Sequence, residues 1–351
     1  MKYLKTYQLF EAKTGLTPEQ EEFLNKYTKG TWTLNPSTGL VDVKGDFDCH
    51  VQNLMDFKGV KFGKVGGHFN CSENYLTSLE GAPQVVGGLF NCEHNRLTSL
   101  EGAPQKVGGD FICKVNKLKS LAGAPQEVGG DFNFSSNWLT RLVGAPQKVG
   151  GNFNCSYNEL TSLEGAPQEV GGDFRCYKNK LTSLAGAPKE VGVGFDCSYN
   201  KLTSLKGGPK KVGGDFDCEK NELTSLAGAP QVVDGDFKCS KNNLTSLEGA
   251  PQVVDGYFDC GAFRLEKGEW NLEGWLKVLQ EGSTEAQSLI PTIFSAETLN
   301  KEIAKDPAGV IMKLKKIWND ENFKETRSKL VWPKGFGEEA DLVGDLDDVG
   351  F

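Results

Sequence analysis

From Lys44 to Leu265 the apolar and polar positions recur every 21 residues. Val65 to Val85 reads VGGHFNCSENYLTSLEGAPQV, and the next unit, VGGLFNCEHNRLTSLEGAPQK, repeats it with a few changes. The period holds to Val253, with a degenerate unit before it (KGDFDCHVQNLMDFKGVKFGK) and a partial one after it (VDGYFDCGAFRL). Self-similarity at such a spacing marks a solenoid, in which no unit buries its apolar face without its neighbours. One phenylalanine column runs from Phe47 to Phe258, and two residues on stands a cysteine column from Cys49 to Cys260, interrupted by Phe134. A spacing of two puts both side chains on one face of a short strand. That strand points Phe and Cys inward. Leu76 and Leu79, with their equivalents down to Leu244 and Leu247, complete the core. Three residues after the Cys comes Asn, from Asn74 to Asn242, where an amide satisfies turn backbone groups and forms a structural ladder. Gly-Ala-Pro followed by Val-Gly-Gly then turns the chain back, so each unit reads as one turn of a right-handed solenoid.

The flanks lose the period. Thr17-Pro18-Glu19-Gln20 supplies a cap, a proline at the first helical position and a glutamine at the third, predicting a helix to about Tyr27. Trp32 to Leu34 and Leu40 to Val43 read as a hairpin around Asn35-Pro36-Ser37-Thr38-Gly39. Beyond Leu265 the spacing turns helical, with Trp270, Leu272, Trp275, Leu276 and Leu279, then starts at Ser295 and Asp306-Pro307, and an apolar face of Ile311, Leu314, Ile317 and Trp318. The expected organisation is an N-terminal cap over residues 1–43, a solenoid of about eleven coils over 44–265, a helical C-terminal region over 266–337 that also holds Trp332, and an acidic tail over 338–351. Caps are required because an open solenoid end exposes core and unpaired strand.

The repeat NxLTSLxGAPxxVxGxFxCSxN resembles a leucine-rich repeat of the short bacterial type, with Phe and Cys on the strand where bacterial effectors of that family favour Leu and Val. The resemblance covers the array and implies an α/β solenoid with a parallel sheet on its concave side. Effector relatives carry a catalytic cysteine in a C-terminal ubiquitin-ligase domain, but no cysteine lies beyond Cys260, so that activity does not transfer. The MKYLKTYQLFE start, the WTLNPSTGLVDV segment and the GAPQxVGG units also resemble repeat proteins of tailed phages and their hosts. That likeness suggests an origin and supplies no activity.

Composition sharpens this picture. Of the 43 glycines, most lie in the array, as do all ten cysteines. In-register strands lie ~4.8 Å apart, whereas a disulfide wants its Cβ atoms near ~3.8 Å, so the cysteines read as small, reduced core hydrophobes. No CxxC pair is present, and His50, His68 and His94 occupy different columns, which points to solvated histidines and no metal or other cofactor. Calcium at the Asp-rich rungs is the alternative left open. With 39 basic against 47 acidic residues, a net charge of −8 and no basic run, the chain does not read as a nucleic-acid binder. No stretch approaches the ~20 apolar residues of a membrane span. The start MKYLKTYQLFEAKTG lacks a signal-peptide pattern, so a cytoplasmic protein is expected.

For acid-base chemistry the candidates are Asp215 with Asp217, or Asp236 with Asp259, yet Asp also heads the strand at Asp110, Asp131 and Asp173, as duplication alone produces. The expectation is a non-enzymatic scaffold. Columns alternating with Phe and Cys should face outward onto the concave sheet, the face through which a protein partner is expected to bind, and are the variable ones: the residue between Phe and Cys, and the residue two after Cys. Exposed Trp, Tyr and Arg are enriched at contact centres, which selects Trp138, Tyr157, Arg175, Tyr177 and Tyr199, with Asp196 and Asp217 beside them. The partner is expected to be a protein of unknown identity. A decorating component of a virion and a host-directed effector are the other readings, and oligomeric state is open.

Overall fold

The computed structural model describes residues 15–270, 272–289 and 309. The chain divides into two compact units, residues 1–201 with 207–209, and residues 202–206 with 210–351.

The first unit opens with helix α1, Pro18–Tyr27. Thr17 caps it by a reciprocal pair: its hydroxyl accepts the Gln20 N–H, and the Gln20 side chain accepts the Thr17 N–H. Phe23 and Leu24 face inward, and Phe23 packs 5.4 Å from Phe47, the first ring of the phenylalanine column. Behind the helix, Trp32–Leu34 and Val41–Val43 pair antiparallel as the expected hairpin.

Each coil then contributes a two-residue strand that begins with the column phenylalanine. Phe69–Asn70, Phe90–Asn91, Phe111–Ile112, Phe132–Asn133, Phe153–Asn154, Phe174–Arg175 and Phe195–Asp196 pair parallel, with Phe opposite Phe. Rings of successive coils lie 5.1 to 5.5 Å apart where they stack, as at Phe69–Phe90 and Phe90–Phe111. Where Phe134 replaces Cys, it meets Phe132 at 4.9 Å and the neighbouring rings tilt. The edge of this sheet is closed by Thr28–Lys29, antiparallel to Asp46–Phe47. That two-residue cover was not evident from the sequence.

The valine of Val-Gly-Gly does more than turn the chain. Val65, Val86, Val107, Val128, Val149 and Val170 are buried in a second parallel sheet, in register from coil to coil. The turn is made by the glycines after it. A Cβ on Gly108 would collide with the Gly87 carbonyl oxygen of the preceding coil, so the two backbones meet there with no room for a side chain.

Asparagine ties coil to coil. Asn158 donates through Nδ2 to the carbonyls of Phe134, Cys155 and Ser156, and accepts through Oδ1 from the Leu139 N–H at 3.0 Å. Asn95, Asn116, Asn137, Asn179 and Asn200 repeat this arrangement.

The second unit carries the same ladders through Phe216–Asp217, Phe237–Lys238 and Phe258–Asp259, and Arg264–Leu265 closes its edge antiparallel. Trp270 lies flat on Phe258 at 4.0 Å and donates its indole N–H to the Pro251 carbonyl. Helices α2, Leu272–Glu281, and α3, Thr284–Leu289, follow, with Trp275, Leu276, Leu279 and Leu289 buried. The starts expected at Ser295 and Asp306, the face of Ile311, Leu314, Ile317 and Trp318, Trp332 and the acidic tail lie outside the described residues.

Two substitutions test which forces hold a coil. Phe153→Ala should cost ~3–5 kcal/mol in chemical denaturation, because the ring leaves a cavity between fixed neighbours. Asn158→Ala should cost about 2 kcal/mol, since it orphans the buried Leu139 N–H and removes one of the donors from each of three carbonyls.

Candidate functional site

Strict alternation from Phe and Cys would turn the residue two after Cys inward. The structure does the opposite, and the backbone shows how. Val51, Glu73, His94, Val115, Ser136, Tyr157, Lys178, Tyr199, Lys220 and Lys241 all sit in the left-handed region, with φ between 52° and 56°. The reversal buries the preceding serine, as at Ser72, Ser156 and Ser198, and throws the next side chain into solvent. The column therefore belongs to the turn after the strand and not to the sheet. Its N–H still serves the ladder, as Tyr157 donates to the Tyr177 carbonyl.

The column between Phe and Cys also has local work. Asn154 accepts from the Ser156 N–H and hydroxyl, and Asn70 and Asn133 do the same for Ser72 and Ser135. Asp196 accepts from the Ser198 N–H at 3.0 Å and its hydroxyl at 2.6 Å, and Asp217 from the Glu219 N–H at 2.9 Å. These two candidate carboxylates thus fold the turn beneath the variable row. Arg175 breaks the pattern: no acceptor stands there, Tyr177 replaces the serine, and the guanidinium pairs with Asp173 at 2.5 Å.

Around that coil the structure gathers a patch. Tyr157 and Tyr177 meet edge to face at 5.3 Å. The Lys178 ammonium lies 4.5 Å from the Tyr157 ring and 5.3 Å from the Tyr199 ring, and donates to the Tyr157 hydroxyl at 2.8 Å. That hydrogen bond outweighs a smaller desolvation cost and, with lesser help from the neighbouring tyrosines, holds the lysine above its ordinary range. Tyr157 is 45% exposed, Tyr199 43% and Trp138 51%. Trp138 lies one residue after the ladder asparagine, in the column where Arg96 stacks over Tyr75 at 4.4 Å. Selection by residue type missed Lys178; its place between tyrosines exactly one period away on either side was the signal available.

The aspartates at the strand heads form a second polar ladder. Asp110 accepts the Asp131 N–H, Asp131 the Asn152 N–H, and Asn152 the Asp173 N–H. Asp215 and Asp236 do likewise in the second unit, and Lys238 bridges the pair. Burial pushes the Asp215 carboxyl up, but the Asp236 N–H and Lys238 outweigh it and hold it below the usual range. His68 is exposed, as expected, and also takes part in this ladder, its Nδ1 accepting the Leu89 N–H. Among the described residues no group of three or more His, Cys, Asp or Glu side chains is placed to hold a metal ion.

The ten cysteines are free and buried. Burial pushes Cys49 up to about 12 and Cys260 up to about 11, and drives Cys155 and Cys176 higher. Thiols so placed are poor nucleophiles. No helix among the described residues is long and apolar enough to cross a membrane.

A scan against protein-family models finds no match, and neither does a search of curated proteins. Among solved structures, this chain is similar to YopM from Yersinia enterocolitica, at 17% identity over 61% of this chain and 59% of that one, with a TM-score of 0.39. It is similar to the functional domain of InlJ from Listeria monocytogenes, which includes a cysteine ladder, at 20% identity, 61% and 52% coverage and a TM-score of 0.38. The leucine-rich repeat domain of APL1B gives 17% identity, 59% and 83% coverage and a TM-score of 0.30. The chain covers less than two thirds of the first two. These neighbours are leucine-rich repeat proteins. This chain is itself a parallel-strand solenoid of 21-residue coils, and its own ladders establish that.

Two measurements follow. Tyr157→Gly should leave stability within about 1 kcal/mol of the parent, because glycine relieves the left-handed backbone and offsets its own chain entropy, whereas Trp138→Gly at an ordinary φ should lose ~1 kcal/mol. Cys155→Ala should be mild, about 1 kcal/mol, with a thermal midpoint that reductant does not move.

Proposed function

We propose that this chain is a non-enzymatic recognition scaffold that engages a protein partner through the turn row following its phenylalanine ladder. The surface is centred on Tyr157, Tyr177 and Tyr199, with Arg175 and Trp138 at its margins and Asp196 holding the turn that precedes Tyr199. The carrying observation is the left-handed column. At φ near 55° an L-residue other than glycine or asparagine costs roughly 1 kcal/mol. The coil uses glycine freely elsewhere, yet every coil from Val51 to Lys241 keeps a side chain at this position. That cost recurs with different side chains, so it maintains what the row displays rather than the fold beneath it. The coil containing Arg175 and Tyr177 adds to this, having given up the local hydrogen bonds that Asn154–Ser156 and Asp196–Ser198 make in its neighbours.

The strand-head carboxylates are committed to backbone N–H groups and the thiols to the core, which leaves the surface as a place to bind. Stacked repeats offer extended surfaces suited to proteins. The test is affinity capture followed by titration of a single stoichiometric partner. Tyr157→Ala, Tyr199→Ala and Arg175→Glu should each weaken binding by ~2 kcal/mol or more with little change in melting temperature. Thr161→Ala and Glu164→Ala, exposed elsewhere on the coil, should change neither. The reverse pattern would sink the assignment.

A further inference from the structure

The composition of the turn row carries the argument one step further, on the reading that this row is a contact surface. The chain is acidic overall, at −8. The row is not. Arg96, Lys117, Lys178 and Lys201 occupy the left-handed column or the position after the ladder asparagine, and none has a carboxylate partner among the described residues. Lys114 and Lys180, on the same turns, are already neutralised by Glu93 and Glu159. Cations without a carboxylate partner thus stand beside the exposed aromatics of this row.

At the centre the arrangement is specific. Tyr157, Lys178 and Tyr199 come from three successive coils at the same register, so the ammonium is framed by a ring on either side, and Tyr177 packs edge to face against Tyr157. The lysine spends one donor on the Tyr157 hydroxyl and has others to offer outward. A carboxylate meeting it would find flat apolar rings within one coil step, ~4.8 Å, on both sides. From Trp138 to Lys201 is about three such steps, ~15 Å, the reach of four or five extended residues.

We infer that the partner presents an acidic segment, glutamates or aspartates interspersed with apolar side chains, with a carboxylate on Lys178 and apolar groups on Tyr157 and Tyr199. Charge complementarity favours anions over cations on this row, and rings framing a lone lysine suit a carboxylate flanked by hydrocarbon. A single-stranded nucleic acid would also use aromatics and cations, but its regularly spaced phosphates call for a continuous basic track. Here Glu73 and Glu159 interrupt the row.

The test uses the full chain and three labelled probes read by fluorescence anisotropy: a short peptide in which glutamates surround two leucines, the same peptide with lysine for glutamate, and oligothymidylate of equal length. The glutamate peptide should bind at least about tenfold tighter than the other two, with an affinity that falls as salt rises. Lys178→Glu should weaken it by about tenfold or more, and Tyr157→Gly with Tyr199→Gly should do the same while the fold is retained. Equal binding of both peptides, lost in the tyrosine variant, would keep the contact surface and overturn the acidic class. Unchanged binding of the glutamate peptide in both variants would overturn the surface itself. Tighter binding of oligothymidylate, or no binding of the glutamate peptide, would overturn the proposal.

Discussion

A single buried amide sets the terms for the rest of this molecule. Each ladder asparagine donates to carbonyls of its own coil and of the one before, and accepts the N–H of the preceding coil's leucine. Those groups lie in a core of Phe, Cys and Leu where water cannot substitute, so leaving one unmade costs the full desolvation penalty. Register is thereby fixed at one residue per coil, and the length of every path from one asparagine to the next becomes a constraint. The one longer path shows where the slack can go. Phe47 to Phe69 takes 22 residues, and the surplus is absorbed as an irregularity where Phe62–Val65 pairs with Val41–Val43. That bulge lies in the valine sheet, away from the amides. Asn74 still reaches the Cys49 carbonyl and the Leu54 N–H.

Much of this was legible before any coordinates. Columns that repeat at a fixed spacing reveal their burial, and Phe, Cys, Asn and both leucines lie where the period puts them, with Asn242 and Leu244 alone only half-buried. Thr17 and Gln20 announced their helix because a capping box is a chemical pattern local to four residues. What escaped was whatever lacks a residue-type signature. Two-residue strands are too short to show a period, so the valine sheet looked like a turn and the edge covers at Thr28–Lys29 and Arg264–Leu265 did not register. The left-handed column escaped for the opposite reason. Glycine or asparagine would have advertised a positive φ, and the positions hold Tyr, Lys, Val, His and Glu instead.

The histidine and aspartate positions show how far residue type can mislead. Two acids in one coil suggest an acid-base pair, and a histidine near a strand suggests either a ligand or idle surface. In the fold, Asp131, Asn152 and His68 perform one task, accepting the N–H of the equivalent residue in the next coil. The shared requirement is an acceptor at a given height above the backbone, met by a carboxylate, an amide or an unprotonated ring nitrogen. Leu89 in the same column supplies none, and its coil is held by the remaining ladders. Redundancy of this kind lets a single polar column vary while the register stays fixed.

It also bears on where recognition can reside. A solenoid built from near-identical units has few positions that its own packing does not claim. The phenylalanine, cysteine and leucine columns fill the core, the glycine column marks where backbones touch, and the asparagine and strand-head columns carry the polar ladders. Most of the column between Phe and Cys is bound into the turn by Asn or Asp. The turn row is one of the exposed places left, and along it the units differ in both size and charge. Its backbone serves the fold through the N–H, and the strained φ directs each side chain away from it. Change at those side chains is therefore nearly decoupled from stability. A chain whose core forbids variation can still present a different surface on each coil.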